Sequence, residues 1–231
     1  MHQRIKQVRS RMHQAARRCD RDPETIRLVA VSKKVPADRV RQAVAEGIHI
    51  FGENYVQEAR RKIERLSGSG VSWHFIGHLQ SNKARQAVAL FDLIHSVDSI
   101  KLARALDREA AKINKVQPVL IQVNIGQEAT KSGVSVAEAD RLAGEIGSLK
   151  NLVLQGLMTM PPFFDNPEKA RPYFTALRDL RDRLQGELDS GLHKQIHLHD
   201  LSMGMTADFE VAIECGATLI RVGTAIFGAR D

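Results

Sequence analysis

The sequence predicts an α/β protein, a single-domain (β/α)8 TIM barrel with an extra N-terminal helix. Across the 231 residues, short runs dense in Val, Ile and Leu alternate eight times with longer stretches of helical periodicity. A barrel of this kind typically needs about 250 residues. The apolar runs lack strict polar alternation, as expected for parallel strands that are covered on both sides. No linker rich in Pro, Gly and Ser divides the chain, so residues 1–231 are expected to form one domain.

The elements follow one another in a regular order. Residues 1–21 carry apolar residues at three- and four-residue steps, which predicts an amphipathic helix packed on the barrel. The predicted strands are Ile26–Ser32, Ile48–Phe51, Ser72–Ile76, Leu93–Val97, Val119–Asn124, Leu152–Leu157, Ile196–Leu201 and Thr218–Val222. The predicted helices between them are Ala37–Glu46, Tyr55–Leu66, Asn82–Leu90, Ser99–Lys112, Val136–Ser148, Pro167–Leu184 and Ala207–Cys215. A doubly wound sheet gives the same alternation, but its usual strand count is lower.

The net charge of +7 is concentrated in the first predicted helix. Residues 1–21 contain seven Lys or Arg against one acid, which accounts for +6 of the +7. A solvated basic face is the default interpretation. A cleavable organelle-targeting peptide, which is also Arg-rich, is the rival, although this stretch is poor in serine. Nucleic-acid binding stays open but unspecific, because no set of base-stacking aromatic residues accompanies the charge.

Composition and cysteine usage exclude several classes of protein. With 43% hydrophobic and 26% charged residues, the chain is typical of a globular protein. No apolar run approaches the roughly 20 residues that a membrane span requires. Cys19 and Cys215 lie far apart and match no metal or redox spacing, which indicates two reduced thiols. Since a secretory signal is also lacking, the sequence predicts a cytoplasmic protein.

The first predicted strand ends in a lysine that could perform chemistry. Strand periodicity places Lys33 on the same face as Val29 and Val31, while Lys34 points the other way. Lysine is seldom buried at such a position unless it is paired or employed. Burial and the neighbouring Lys34 would both favour the free amine, which is the form that attacks an aldehyde. The alternative is a lysine at the rim whose ammonium group reaches into water.

The ends of predicted strands seven and eight have the features of a phosphate site. Strand seven finishes as Leu201–Thr206, and strand eight finishes as Arg221–Gly228. Glycines allow the backbone to approach a ligand, and amides at the start of a helix point at anions. Barrels frequently bind phosphate with the loops that follow strands seven and eight. The placement of both segments therefore favours a phosphate group.

An amine at strand one and a phosphate cradle at strands seven and eight are two handles for one ligand. Pyridoxal 5′-phosphate (PLP) carries an aldehyde and a phosphate on one ring, which makes it the natural candidate. A phosphosugar held as a Schiff base fits the same two handles. Colour distinguishes the two ligands, because only the PLP adduct absorbs in the visible.

Seven motifs give a specific resemblance. They are Ala30–Lys33, Phe51–Glu58, Trp73–Lys83, Lys131–Gly133, Gly156–Met158, Leu201–Met205 and Arg221–Gly228. In this order they closely resemble the YggS/PROSC family of pyridoxal phosphate homeostasis proteins. The similarity covers essentially the whole chain, including the basic first helix, which counts against a targeting peptide.

The resemblance implies a barrel of the alanine-racemase type that binds PLP as a Schiff base. Thr206 stands where the family usually has serine, so the hydroxyl is retained. The cofactor-binding residues that the resemblance implies are Lys33 for the aldehyde, Thr206, Gly223 and Thr224 for the phosphate, Arg221 for the pyridine nitrogen, and Asn54 in the pocket lining.

The resemblance also implies a role in vitamin B6 balance without an established catalytic activity. A chemical argument agrees, because PLP is a strong electron sink when its ring nitrogen is protonated and paired with a carboxylate. Arg221 is always charged and cannot accept that proton. The sequence also ends soon after strand eight, whereas similar barrel racemases carry a second β-domain. We therefore predict a non-enzyme; the alternative is a slow PLP-dependent amino-acid racemase or related enzyme.

The expected partners are PLP and PLP-dependent apo-enzymes, with no membrane or nucleic acid, and the expected state is a monomer. No matching acid or cysteine spacing completes a metal site around the histidines near strand seven. Two histidines near strand three are candidates for contact with the PLP ring, and two loop lysines are rival amines that are expected to be solvated. The histidines near strand seven are His193, His197 and His199. The two candidates for contact with the ring are His74 and His78, and the two loop lysines are Lys83 and Lys131.

Overall fold

Eight parallel strands close into one barrel in their order along the chain, and the first strand pairs with the eighth to complete the ring. The computed structural model describes residues 1–128, 132–188 and 195–229. The strands are β1 (Arg27–Val31), β2 (Ile50–Glu53), β3 (Ser72–Phe75), β4 (Leu93–Val97), β5 (Gln117–Gln122), β6 (Leu152–Met158), β7 (Ile196–Ser202) and β8 (Leu219–Val222). The predicted (β/α)8 architecture is therefore confirmed, and the strand ends differ from the prediction by a few residues.

Helices surround this barrel. Within the described ranges they are α1 (His2–Arg18), α2 (Ala37–Ala45), α3 (Val56–Arg65), α4 (Ala84–Leu90), α5 (Ile100–Ala111), α6 (Val136–Gly147), α7 (Arg171–Leu188), α8 (Phe209–Glu214) and α9 (Thr224–Phe227). Helices α2 to α8 each connect one strand to the next, as parallel pairing requires. Single 3-10 turns at Pro23–Thr25, Ser81–Lys83 and Pro167–Ala170 precede β1, α4 and α7. Among the described helices, none combines the length and the apolar character needed to cross a bilayer.

The strands separate two hydrophobic cores. Val29, Leu93, Leu120, Met158 and Leu219 come from five strands around the ring and form one buried cluster, so they meet inside the barrel. The side chains that alternate with them face outward and pack under the helices in a second, larger cluster. Full burial of an aliphatic side chain stabilises a protein by about 1.5–3 kcal/mol, so both layers contribute to holding the mouth of the barrel in shape.

Helix α1 packs on the outside of the barrel against α8 and α9. Its apolar stripe is buried as the periodicity predicts. Its basic face is partly engaged, because Arg11 pairs with Glu210 at 2.6 Å and Arg18 pairs with Glu214 at 2.8 Å. The Arg11 guanidinium also lies 4.5 Å from the ring centre of Phe209. Two of the seven basic residues expected to be solvated therefore tether α1 to α8.

The residues that follow the eighth strand are helical. The predicted strand Thr218–Val222 ends at Val222, as β8 does, but the stretch Gly223–Gly228, which was included in the predicted strand end, contains the one-turn helix α9. The amide of Phe227 donates to the carbonyl of Gly223 at 2.9 Å, and that of Gly228 donates to Thr224 at 2.9 Å. Apolar residues such as Phe227 favour a strand by composition, but here they are buried by the contact of α9 with α1.

Candidate functional site

A cavity of about 350 Å³ opens where β1, β7 and β8 end. Barrel enzymes place their chemistry at this carboxyl-terminal face. Five of the six residues singled out in the sequence line the cavity, namely Lys33, Thr206, Arg221, Gly223 and Thr224. The fold therefore brings an amine, two hydroxyls, a glycine and a guanidinium around one space.

Lys33 reaches this cavity through the alternation of β1. Val29 lies in the interior cluster and Val31 lines the cavity, and Lys33 continues the same face two residues further on. Its side chain is half-buried, whereas the neighbouring Lys34 is exposed and has a left-handed backbone conformation, with φ at +59°. The two adjacent lysines thus have different environments, as the strand periodicity predicts.

A buried ion pair fixes the backbone on both sides of Lys33. The Lys62 ammonium donates to the Ser32 carbonyl at 2.5 Å, to Glu53 Oε1 at 2.7 Å and to Glu58 Oε1 at 2.6 Å. The same Glu58 oxygen accepts the amide of Lys34 at 2.5 Å. We call Ser32, Glu53, Glu58 and Lys62 the clamp. It holds the residues before and after Lys33, and sequence reasoning did not identify it.

Glu53 is the fully buried carboxylate of this clamp. Its Oε1 accepts from the Ser32 hydroxyl at 2.6 Å as well as from Lys62. Burial raises the pKa of Glu53 above its ordinary value, against the opposing effects of the ion pair with Lys62 and the hydrogen bonds from Lys62 and Ser32. Among the described residues, none donates to its second oxygen, Oε2. The carboxylate therefore depends on Lys62 to stay charged.

The opposite side of the cavity offers hydroxyl groups. The Thr224 hydroxyl lies 3.2 Å from that of Thr206, so the loops after β7 and β8 meet there. Asp208 also lines the cavity, but its Oδ1 accepts the amide of Met205 at 2.6 Å and so holds the loop. Burial raises the pKa of Asp208, although the hydrogen bond from Met205 and the charge of Arg221 lower it. The hydroxyl pair is thus the anion-compatible part of this wall.

Arg221 occupies the floor of the cavity and is held on two sides. Its Nη1 donates to the Ser202 hydroxyl at 2.6 Å and its Nη2 donates to the Thr159 carbonyl at 2.8 Å. Burial lowers the pKa of Arg221 to about 10, while Asp208 raises it. The guanidinium therefore stays charged at neutral pH, in a position fixed by neutral partners.

Two histidines continue this contact into the barrel. His95 Nδ1 lies 2.8 Å from the Ser202 hydroxyl, and His95 Nε2 lies 3.0 Å from His74 Nδ1. His74 was a candidate for contact with the PLP ring, but its imidazole lies inside the barrel and contacts His95. Among the described residues that line the cavity, His74 does not appear. The strand periodicity could have identified His95 as an interior residue, because it lies two residues after Leu93, which belongs to the interior cluster.

Asn54 lines an adjoining cavity instead of the one that holds Lys33. This second space, about 450 Å³, shares Phe163 and Met205 with the first, and His78 also lines it. Gly77 allows the close approach, because a Cβ there would lie 2.4 Å from the Asn54 carbonyl oxygen. Asn54 Oδ1 is buried, and none of the described residues donates to it. The mouth of the barrel therefore has two adjoining compartments that share part of their lining.

The other candidate residues lie away from the cavity. His197 and His199 are exposed on β7 with ring centres 6.2 Å apart, while His193 and Lys131 lie outside the described residues. In the described ranges, no cluster of three His, Cys, Asp or Glu could hold a metal ion. Lys83 ends the 3-10 turn before α4 and does not line either described cavity.

The fold and the cavity define a barrel of the alanine racemase class. The family model described as "Alanine racemase, N-terminal domain" matches residues 4–231. Two curated relatives narrow this class further. The chain is 44% identical over 228 residues to the pyridoxal phosphate homeostasis protein of Aquifex aeolicus (strain VF5), covering 99% of this chain and 97% of the relative. It is 43% identical to that of Escherichia coli (strain K12), with coverage of 98% and 95%.

A solved structure agrees with these relatives. PipY of Synechococcus elongatus, determined with PLP bound, matches the fold with a TM-score of 0.85 and 36% sequence identity. The match covers 98% of this chain and 99% of that chain. The chain therefore belongs to the family of pyridoxal phosphate homeostasis proteins, which confirms the resemblance found in the sequence.

Proposed function

We propose that this protein binds PLP and serves cytoplasmic vitamin B6 homeostasis, holding the cofactor without catalysing a reaction on it. The curated relatives are named for this role, and PipY has been solved with PLP bound. The observation that carries the proposal is the cavity that Lys33 shares with Arg221 and the Thr206–Thr224 hydroxyl pair.

The donor set fits PLP at both ends. The Lys33 amine would hold the aldehyde carbon of PLP through a C=N bond, with the loss of one water. The hydroxyls of Thr206 and Thr224 are in place to donate to phosphate oxygens. The amides of Thr224 and Ala225 open the first turn of α9, where backbone N–H groups have no acceptor within the helix. These neutral donors suit a dianion that must be released again.

Arg221 favours holding the cofactor over catalysis. When bound, PLP supplies an electron sink whose strength depends on a protonated ring nitrogen. Arg221 stays protonated, because its pKa of about 10 lies well above neutral pH, and a guanidinium can only donate to that nitrogen. With Arg221 as its partner, the ring nitrogen would not face the carboxylate that strengthens the sink. We accordingly propose that amino acids undergo no Cα exchange in deuterated solvent beyond that given by free PLP.

Borohydride reduction followed by peptide mass mapping tests the proposal. After incubation with PLP, the wild type is expected to be coloured and to carry the reduced pyridoxyl label on Lys33. Lys33→Ala should lose the visible band, while Lys83→Ala, which removes a rival amine, should keep both band and label. A label on a lysine other than Lys33 would overturn the assignment of Lys33 as the PLP-binding amine. A wild type that stays colourless would overturn the assignment of PLP, because a phosphosugar Schiff base does not absorb in the visible.

We further propose that the protein is a monomer and that PLP-dependent apo-enzymes are its partners. The part of the chain that the structure describes forms one closed barrel with its own core, and the cavity opens directly at the strand ends. Light scattering measures the oligomeric state, and the rate at which a PLP-loaded sample activates an apo-enzyme measures transfer.

A further inference from the structure

We propose that Arg221, Ser202, His95 and His74 form one directional hydrogen-bond relay, in which both histidines are neutral and carry their proton on Nε2. In this relay Ser202 and His95 are positioning residues that hold the Arg221 guanidinium at the floor of the cavity. The positioning role rests on the proposed function, because it concerns how Arg221 meets PLP.

The relay crosses the interior of the barrel. Its members come from β8, β7, β4 and β3, and β7 and β4 are not neighbours in the ring. All four side chains are buried, with exposed fractions of 4% or less. Only Arg221 among them lines the cavity. The relay thus links the ligand site to residues that a ligand does not touch.

The direction of each hydrogen bond follows from the donor count. A guanidinium can only donate, so the Ser202 oxygen accepts from Arg221 at 2.6 Å. Within the described residues, the remaining partner of this hydroxyl is His95 Nδ1 at 2.8 Å. If the hydroxyl donates to Nδ1, a neutral His95 carries its proton on Nε2 and donates to His74 Nδ1 at 3.0 Å.

The opposite arrangement leaves a proton without an acceptor. If His95 Nδ1 donated to Ser202, the serine would accept twice and its buried hydroxyl proton would have no acceptor among the described residues. An unsatisfied buried donor is costly. The arrangement that we propose gives the Ser202 hydroxyl proton and the His95 Nε2 proton one acceptor each and turns both donors away from Arg221.

Electrostatics agrees with this assignment. Burial lowers the pKa of His74 to about 3 and that of His95 well below its usual value, and nearby arginines lower both further. Both rings are therefore neutral at pH 7, and the guanidinium is the charged member of the relay. Neutral dipoles that point away from a cation stabilise it without cancelling its charge, which leaves that charge available to the ligand.

The relay itself can be tested in the cofactor-free protein by NMR on imidazole nitrogens labelled with 15N. We expect neutral His74 and His95, each protonated on Nε2. In Ser202→Ala, the His95 Nδ1 signal should move toward that of a ring nitrogen without a donor. Ser96→Ala is the matched control, because Ser96 is buried beside His95 on β4 and its hydroxyl has no hydrogen-bond partner in the described part of the chain. It should leave the His95 shifts unchanged.

Titration with PLP tests the positioning role. Loss of a hydrogen bond to a charged group corresponds to roughly tenfold or more in binding, so Ser202→Ala and His95→Gln should bind PLP about tenfold more weakly, with a shifted absorption band. Ser96→Ala should bind within about twofold of the wild type. A proton on His95 Nδ1 in the wild type would overturn the relay, and unchanged affinity and spectrum in Ser202→Ala would overturn the positioning role. A wild type that binds no PLP would overturn the proposed function, while the NMR measurement would still decide the relay.

Discussion

At the scale of single residues, one glycine joins the two loops of the candidate phosphate site. Gly204 has φ at +89°, and a Cβ at this position would lie 2.6 Å from Cβ of Ala212 in α8. The Gly204 carbonyl also accepts the amide of Arg221 at 3.0 Å. Since Gly204 lies two residues before Thr206, its conformation brings the loop after β7 against both α8 and β8.

Gly204→Ala should therefore destabilise the protein by about 2 kcal/mol or more, because the left-handed conformation and the contact with α8 both oppose a methyl group. Gly144→Ala is the matched control, since it lies inside α6 with no atom within 4 Å of the added carbon. There the higher helix propensity of alanine should stabilise by about 0.5–1 kcal/mol. Urea denaturation measures both changes, and equal midpoints for the two variants would contradict the account.

At the scale of elements, the clamp joins the ends of β1 and β2 to helix α3. Glu53 ends β2, while Glu58 and Lys62 lie on α3. The Lys62 ammonium uses its donors on acceptors from all three elements. A buried ion pair of this kind becomes a liability when one partner is removed, because the other charge is left in the core.

Lys62→Met should cost about 3–5 kcal/mol at pH 7. The raised pKa of Glu53 means that the folded state holds this proton more tightly than the unfolded chain does. The stability that the folded protein gains from this proton on Glu53 is therefore present below about pH 4.5, and it is lost as the pH rises through the pKa of the folded state. Removing Lys62 raises that pKa further, so the variant should lose less stability at pH 5 than at pH 7.

Two variants control this prediction, with free energies of unfolding measured at both pH values. Glu53→Gln in the Lys62→Met background should remove most of the pH difference. Lys112→Met breaks the exposed ion pair with Glu109, whose 2.6 Å separation resembles that of the buried pair. It should change stability by at most about 0.5 kcal/mol. A Lys62→Met variant as mild as Lys112→Met would refute the clamp.

At the scale of the whole molecule, the barrel interior is partly polar. His74 and His95 are buried and in contact with each other inside the ring, and Arg27 pairs with the buried Asp200. The Asp200 Oδ1 also accepts the Thr218 hydroxyl at 2.9 Å. The fold keeps both imidazoles neutral, so the stability of the whole barrel is linked to pH.

This linkage predicts destabilisation in mild acid. The pKa of His74 falls to about 3 in the folded protein, whereas the unfolded chain takes up the proton near pH 6.5. The unfolded state therefore binds more protons below that pH, and stability present above pH 6.5 is lost as the pH falls. At pH 5 the loss from His74 alone is about 2 kcal/mol.

Free energies of unfolding measured between pH 5 and pH 8 check this prediction. The double variant His74→Gln and His95→Gln should be less stable than the wild type at pH 8 and should show a flatter profile. The carboxyl of Glu53, whose raised pKa acts in the opposite sense, is common to both proteins and cancels in the comparison. Parallel profiles would show that these histidines do not carry the linkage.

Local patterns predicted those parts of the site that follow from periodicity and position along the chain. The alternation of β1 placed Lys33 toward the cavity, and the barrel order placed Thr206 and Gly223 near it. The clamp and the relay escaped prediction because their contacts join distant residues. Ser32 and Lys62 are 30 positions apart, and His95 and Ser202 are 107 apart. No local pattern specifies which side chains meet across a closed ring.

The amino-acid sequence alone determined the barrel, its family and the amine at position 33, because hydrophobic spacing and collinear motifs are properties of the chain itself. Tertiary structure alone decided that β8 gives way to α9, that Asn54 faces the adjoining compartment and that His74 turns into the interior. The physical reason is closure. Once eight strands form a ring, the space inside it and the neighbours across it determine which groups are buried, paired or charged.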